Sequence, residues 1–220
     1  MKKTISIFTM IIISAAAVSC SSTKITATWK NGKYAGGPFK KIVVLALFKR
    51  LDSRETFEAF IAEELRKSGT DAIPSLSLVT PKQKYSYAAM EALFNKNNID
   101  GIMILRTKGL DKNKKFVQGT NYYEPDVFYN PVSNPYYSFY FNYYTVAYRN
   151  ISTPGYYVEK DILSIECNLY ANSDDTLAWS VMTKTVEPYQ TEDGITDPPR
   201  EAKEFARLIL KNLRENGLIK

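Results

Sequence analysis

From Lys41 the chain reads Lys41-Ile42-Val43-Val44-Leu45-Ala46-Leu47-Phe48, apolar and β-branched behind a charged head. An unbroken run of this kind predicts a strand covered on both faces. The period then changes. Phe57, Phe60, Ile61 and Leu65 recur at helical spacing, Asp52 with Glu55 three positions on forms a capping box, and Gly69 ends the helix. Residues 71–74 read as a short second strand. Residues 85–96 read as a second helix with Ala89, Leu93 and Phe94 on one side, and Ile99-Asp100-Gly101-Ile102-Met103-Ile104-Leu105 as a third buried strand. The order β-α-β-α-β predicts parallel strands joined by right-handed crossovers.

Further on, the pattern alternates. Leu163, Ile165, Cys167 and Leu169 point one way and Ser164, Glu166 and Asn168 the other, as in a strand with one covered face. Asn172-Ser173-Asp174-Asp175 is turn chemistry, and residues 177–186 form the returning strand of a hairpin. A last helix is capped by Asp197, opens with Pro198, carries Phe205, Ala206, Ile209, Leu210 and Leu213 as its stripe, and stops at Gly217. A short strand at residues 25–29 precedes the glycines and proline around position 36. The fold class is therefore α/β: a single domain with a mixed sheet of five or more strands and packed helices, one of them C-terminal. Between the two halves lies a stretch of another kind. Residues 119–157 hold 11 of the 16 tyrosines, with Phe128, Phe139, Phe141 and four prolines.

The N-terminus adds an address. Lys2 and Lys3 precede an uncharged, mostly apolar stretch over residues 5–18, and Ala17-Val18-Ser19-Cys20 closes it with small residues before a cysteine. About 20 apolar residues are needed to span a bilayer as a helix, so this stretch is too short. It reads as a lipoprotein signal over residues 1–19, with Ala17 where leucine is the common residue. Cys20 is the lipidation site, carrying diacylglycerol and commonly a further palmitate-type chain. Each buried CH₂ contributes about 0.8 kcal/mol, so two or three chains anchor stably where one does not. Residues 20–38 then form a lipidated tether and residues 39–220 the domain. Ser21, rather than aspartate, after the cysteine favours delivery to the outer membrane, facing the periplasm, by the sorting rule general to lipoproteins.

Composition narrows the chemistry. Loss of the leader, with Lys2 and Lys3, lowers the net charge from +6 to +4, and lysine and glutamate are spread along the chain, so nucleic acid is not an expected partner. There is no histidine, which excludes Ser-His-Asp and Cys-His catalysis and His-ligated zinc. With Cys20 acylated, Cys167 is the one free thiol and no intramolecular disulfide forms. Neither a cofactor nor a metal is expected. The carboxylate pairs Glu63-Glu64, Asp174-Asp175 and Glu192-Asp193 are neighbours in sequence, whereas glycosidase carboxylates flank a cleft from separate elements, about 5 to 9.5 Å apart. Ser164 with Lys160 and Ser180 with Lys184 fail as Ser-Lys dyads, because i and i+4 on a strand lie about 13 Å apart. Gly36-Gly37-Pro38 is no phosphate cradle, since proline lacks an N–H. Trp179 is expected in the core, and Trp29 against the domain edge. Asp175-Thr176-Leu177 matches a three-residue O-glycosylation signal on a turn expected to be exposed.

The tyrosine-rich stretch is the feature that can act. Tyrosine offers a large amphipathic contact at low entropic cost. Three readings compete: rings folded over the sheet as added core, a protein-binding or self-association surface, and stacking on sugar rings of peptidoglycan or another glycan. The surface reading places Tyr136, Tyr140, Tyr143 and Tyr144 as solvent-accessible contact residues.

With these pieces in order, the chain resembles the bacterial envelope lipoproteins grouped as domain of unknown function 4136. The resemblance rests on Trp29, on Gly37-Pro38-Phe39-Lys40-Lys41 before the first long strand, and on Ile99-Asp100-Gly101. It rests also on the tyrosine-rich insertion and on the hairpin Leu169-Tyr170-Ala171-Asn172 with Leu177-Ala178-Trp179-Ser180. It implies a fold like the N-terminal domain of TolB-type envelope proteins and carries no catalytic residue set. The expected function is a non-catalytic binding or scaffold lipoprotein. The alternatives are an accessory regulator of wall synthesis or of an export complex, and a glycan-binding module, with a hydrolase last.

Overall fold

The computed structural model describes residues 23–81, 83–112, 140, 161–186 and 198–220. Among these, six strands form one mixed sheet: β1 (Thr23–Lys30), β2 (Lys41–Leu47), β3 (Asp71–Pro74), β4 (Gly101–Lys112), β5 (Asp161–Ala171) and β6 (Leu177–Val186). Three helices accompany them: α1 (Leu51–Lys67), α2 (Tyr87–Lys96) and α3 (Pro198–Glu215). The sheet order is β1-β6-β5-β4-β2-β3. β3, β2 and β4 run parallel, and β4, β5, β6 and β1 pair antiparallel. The expected α/β class, mixed sheet and C-terminal helix are all present.

From β2 the chain crosses by α1 to β3 on one side, then by α2 to β4 on the other. Two crossovers of one hand in opposite directions put their helices on opposite faces, and the cores divide accordingly. On the first face Ile42, Val44, Met103, Leu105, Ile165, Cys167, Leu169, Trp179 and Val181 meet Phe57, Ile61 and Leu65 of α1 and Phe205, Ile209 and Leu213 of α3. The rings of Phe57 and Phe205 stand 5.8 Å apart between the two helices. On the second face Val43, Leu45, Ile102, Ile104 and Tyr170 lie under Met90 and Phe94 of α2. Trp179 is fully buried, as its surroundings predict, and its indole N–H donates to Asn212 Oδ1 on α3 at 2.9 Å.

Several expectations are corrected. The strand read inside the tether is longer and belongs to the sheet: β1 pairs along β6 from Thr23↔Thr185 to Lys30↔Trp179. The folded unit thus reaches back to residue 23, because β6 would otherwise present a bare edge whose partner lies some 150 positions away in sequence. Asp52 does not cap α1. The helix starts two residues earlier, at Leu51 behind Arg50 and without a side-chain cap, and Asp52 pairs with Arg50 in the first turn. Helix α2 starts two residues later than expected, at Tyr87, where Ser86 Oγ accepts from the Ala89 N–H at 3.3 Å. Asp197 lies outside the described residues; Pro198 opens α3 as expected. The alternating face of β5 is not solvent-exposed: Ser164, Glu166 and Asn168 are all buried.

The run Ile99-Asp100-Gly101 has a physical role. Both Asp100 oxygens accept backbone N–H groups at the head of β2, Oδ2 from Lys40 and Oδ1 from Lys41, each at 2.8 Å. Gly101 faces Ile42 in the parallel ladder, and a Cβ there would stand 2.8 Å from the buried ring of Phe39. The chain direction into β2, the seat of Phe39 and the start of β4 are therefore set together. At the far end of α1, Gly69 takes φ +88°, the left-handed turn that lets the helix stop and β3 begin.

Ile209 is fully buried at the centre of the first-face core. Ile209→Ala should lower unfolding stability by about 2 to 5 kcal/mol, read by denaturant or thermal melts; an unchanged midpoint would remove α3 from the core.

Candidate functional site

The second face of the sheet carries a polar row where the sequence pattern anticipated solvent. Strand alternation aims Ser164, Glu166, Asn168 and Tyr170 of β5 at this face. The register sets Arg106 of β4 opposite Glu166, and Ser180 of β6 opposite Asn168. Side chains directly opposite in an antiparallel pair have Cβ atoms about 5 Å apart. Ser180 Oγ donates to Asn168 Oδ1 at 2.5 Å, and all four of these polar residues are buried. A buried charge is costly unless it is paired or fully hydrogen-bonded, and the register sets the two buried charges Arg106 and Glu166 directly across the ladder from one another. The signal for this row was the arginine that ends the apolar run Ile102 to Leu105. It went unread because its partner lies in a strand 60 positions on.

Of the four tyrosines expected at a surface, Tyr140 is described, and its placement is a correction: it is buried at 1% exposure. Its ring lies 6.3 Å from those of Tyr170 and Phe94 and 6.0 Å from that of Tyr87, closing the second-face core beside α2. Burial, first, and the nearby Asp175 push its hydroxyl well above the ordinary phenol range. The segment's aromatic richness concealed this, since every alternation face carries rings and none is marked as inward. Tyr136, Tyr143, Tyr144 and Cys20 lie outside the described residues.

The other candidates disperse. Glu63 and Glu64 stand on the outer side of α1, both paired with Lys67. Asp174 and Asp175 occupy the β5–β6 turn, and Glu192-Asp193 lies outside the described residues. Lys160 is likewise outside, while Ser180 is engaged with Asn168. The register does bring Ser164 opposite Lys184, a pair that i,i+4 reasoning missed. Lys184, however, stands in solvent, whereas a lysine that serves as a general base is desolvated. Leu177 of the Asp175-Thr176-Leu177 sequence is buried in the second core, so that stretch is not a free turn. Trp29 is half-buried against the same core, at the domain edge where it was expected. Cys167 is fully buried on the first face, and burial, then the neighbouring Glu166, pushes its thiol far above the usual range.

The turn carries one coupled pair. The Tyr87 hydroxyl donates to Asp175 Oδ2 at 2.7 Å. That bond, aided by desolvation, pushes the Tyr87 phenol up to about 12. Asp175 is raised in turn, first by burial and then by Glu91 and Asp174, against the lowering effect of the Tyr87 bond. It also holds φ +59°, a conformation that aspartate and asparagine tolerate better than most residues.

No protein-family model matches the chain, so none supports the resemblance to the domain of unknown function 4136 lipoproteins, and no curated protein matches it. Among solved structures the chain is similar to the PelC dodecamer from Paraburkholderia phytofirmans, at 11% identity over 90% of this chain and 99% of that one, with a TM-score of 0.44. It is also similar to lipoprotein GNA1162 from Neisseria meningitidis, at 10% identity over 80% of this chain and 96% of that one, with a TM-score of 0.37. At these scores neither likeness extends past a broad similarity of architecture.

Two measurements follow from the geometry. A carboxyl whose folded pKa is raised binds its proton more tightly in the folded state, so its contribution is most favourable below the ordinary pKa. It then falls as pH rises through the raised value. The stability of the parent minus that of Asp175→Asn should therefore decline as pH rises from the ordinary carboxylate range upward, and a flat difference would sink the reading. Cys167 should resist a maleimide in the native protein and react on unfolding; rapid native labelling would contradict its burial.

Proposed function

We propose that this chain is a non-catalytic, lipid-anchored lipoprotein of the bacterial envelope that binds or scaffolds at a membrane surface. The observation that carries the reading is a juxtaposition. A cysteine closes an apolar leader, and three positions later begins a strand bonded into the sheet from its first residue. The leader ends where the fold starts, as a cleaved and acylated signal requires. Among the described residues no helix is long and apolar enough to cross a membrane, so acyl chains on Cys20 are the attachment this reading invokes. Ser21 after the cysteine supports the outer membrane, with the domain in the periplasm. Partners through Tyr136, Tyr143 and Tyr144 belong to the same reading, with an envelope protein favoured over glycan. The polar groups found on the second face are buried beneath the sheet's covering and present no open stacking site.

Cys20→Ser should abolish the lipid-dependent mobility shift and move the protein from the membrane to the soluble fraction. Retention on the membrane after a salt wash would show that something other than acyl chains holds it.

A further inference from the structure

We propose that the acylated domain docks end-on, pressing the end of the sheet where β1 begins against anionic phospholipid headgroups. The proposal rests on the lipid-anchor reading of Cys20 and deepens it. Three Cα steps separate Cys20 from Thr23, a reach of at most about 10 Å even fully extended. Thr23 is no loose end. It is buried, its backbone pairs with Thr185, and its Oγ1 lies 3.0 Å from Thr185 Oγ1 and donates to Glu204 Oε2 of α3 at 3.4 Å. A lipid at Cys20 therefore holds the first rung of the sheet at the headgroup layer.

The register says what else stands there. Thr23 pairs with Thr185, Thr185 with Leu163, and Leu163 with Leu110, so the starts of β1 and β5 and the ends of β4 and β6 share this level. Helix α3 runs alongside β1, joined to it from Thr23–Glu204 through Thr28–Asn212 to Lys30–Asn216, so its N-terminal half lies at the same end. The opposite end, with the β5–β6 turn at Ser173, is about 26 Å further along the strands, eight residues at 3.3 Å each from Leu163 to Ala171.

Charge points to the same occupant. One step inside Thr23, Lys24 sits directly opposite Lys184. Like charges facing each other across a ladder are destabilising. Both lysines are exposed, and among the described residues neither ammonium has an ion-pair partner. At the other end of the sheet the equivalent cross-strand position is resolved within the protein, with Lys41 opposite Asp71 and their side chains 3.2 Å apart. The unmatched pair thus lies at the end that the tether holds to the membrane, where phosphate headgroups would neutralise it. Lysines at such a surface each contribute about 1 kcal/mol, about a fivefold gain per residue.

The test uses the full acylated protein reconstituted into phosphatidylcholine vesicles with or without phosphatidylglycerol. Because Cys20 is acylated and Cys167 buried, a fluorophore can be placed singly by Lys203→Cys, beside Glu204 at the anchored end, or by Ser173→Cys at the far end. Mass analysis of the N-terminal peptide first reports the acyl group. If it is absent, the lipoprotein reading falls and this proposal with it. With acylation present, a headgroup spin label should quench the fluorophore at 203 strongly and that at 173 weakly. The contrast should be greatest with phosphatidylglycerol and lost in Lys24→Glu/Lys184→Glu. Equal quenching at both positions would mean a domain tumbling on its tether and would overturn end-on docking alone. A contrast unchanged in the double variant would overturn the headgroup contact. A label at 203 shielded from the spin label and from an aqueous quencher alike would assign that end to a protein partner, overturning the proposal.

Discussion

Strand β2 outlasts its neighbour β3. The parallel ladder between them ends at Val44↔Pro74, yet β2 continues to Leu47 beside β4. The Ala46 N–H on the vacated side would be stranded in the core, at a cost of about 1 to 3 kcal/mol. Glu58 fills the place. Its Oε1 accepts from Ala46 N at 2.9 Å, from Arg54 Nε at 2.8 Å and from Ser75 Oγ at 2.8 Å, and its Oε2 accepts from Leu76 N at 2.9 Å. A carboxylate fully out of water survives only when so completely bonded. This one ties the end of β2, the second turn of α1 and the turn after β3 into a single joint. In open sheets with parallel strands, ligands generally enter at the carboxyl ends of the strands where the winding direction reverses. Here the space that the shorter β3 leaves beside the end of β2 is filled by the chain's own Glu58, Arg54 and Ser75.

The antiparallel half solves a different problem. Strand β5 from Ser164 to Ala171 and β6 from Leu177 to Val181 are buried on both faces, so their alternation there cannot be apolar on one side and wet on the other. The second face instead places its polar groups opposite one another, Arg106 with Glu166 and Asn168 with Ser180. Strand β1 covers the β6 edge, and Asn212 locks it there: its Oδ1 accepts both the Trp179 indole N–H and the Thr28 hydroxyl. Strand β1 and helix α3 thus finish the sheet together.

The sequence was most legible where local signals sufficed. Continuous β-branched runs located β2 and β4, the Asn172-to-Asp175 turn located the hairpin, and the 3.6-residue stripe with Pro198 located α3. Readings failed where the deciding partner is remote. The short strand at residues 25–29 read as part of a tether because its sheet partner β6 lies some 150 residues downstream. Glu58, between Phe57 and Ile61, carries no mark distinguishing a buried carboxylate from a solvated one. Ser164, Glu166 and Asn168 followed the period-two rule for a half-covered strand, and only the two-sided cover of the sheet reverses it. Asp52 offered capping chemistry, but Leu51 had already entered the helix. For the candidate site, the inward direction of Tyr140 was not readable, because its neighbours in sequence are aromatic on every face.

One residue of the tyrosine-rich stretch, Tyr140, is described, and its seat lies far from the start of β1. The chain leaves β4 at Lys112 and re-enters β5 at Asp161, which are register partners at the end nearest Cys20. Between them, Tyr140 packs on Tyr170, nine residues and about 30 Å up the sheet from Asp161. Residue 140 is thus seated beside α2, at the end of the sheet remote from Thr23. On the end-on reading the molecule is then polar in its layout: acyl chains and lysines meet lipid at one end, and the buried ring of Tyr140 closes the core at the other, about 25 to 30 Å away along the strands, a separation fixed by the length of β5.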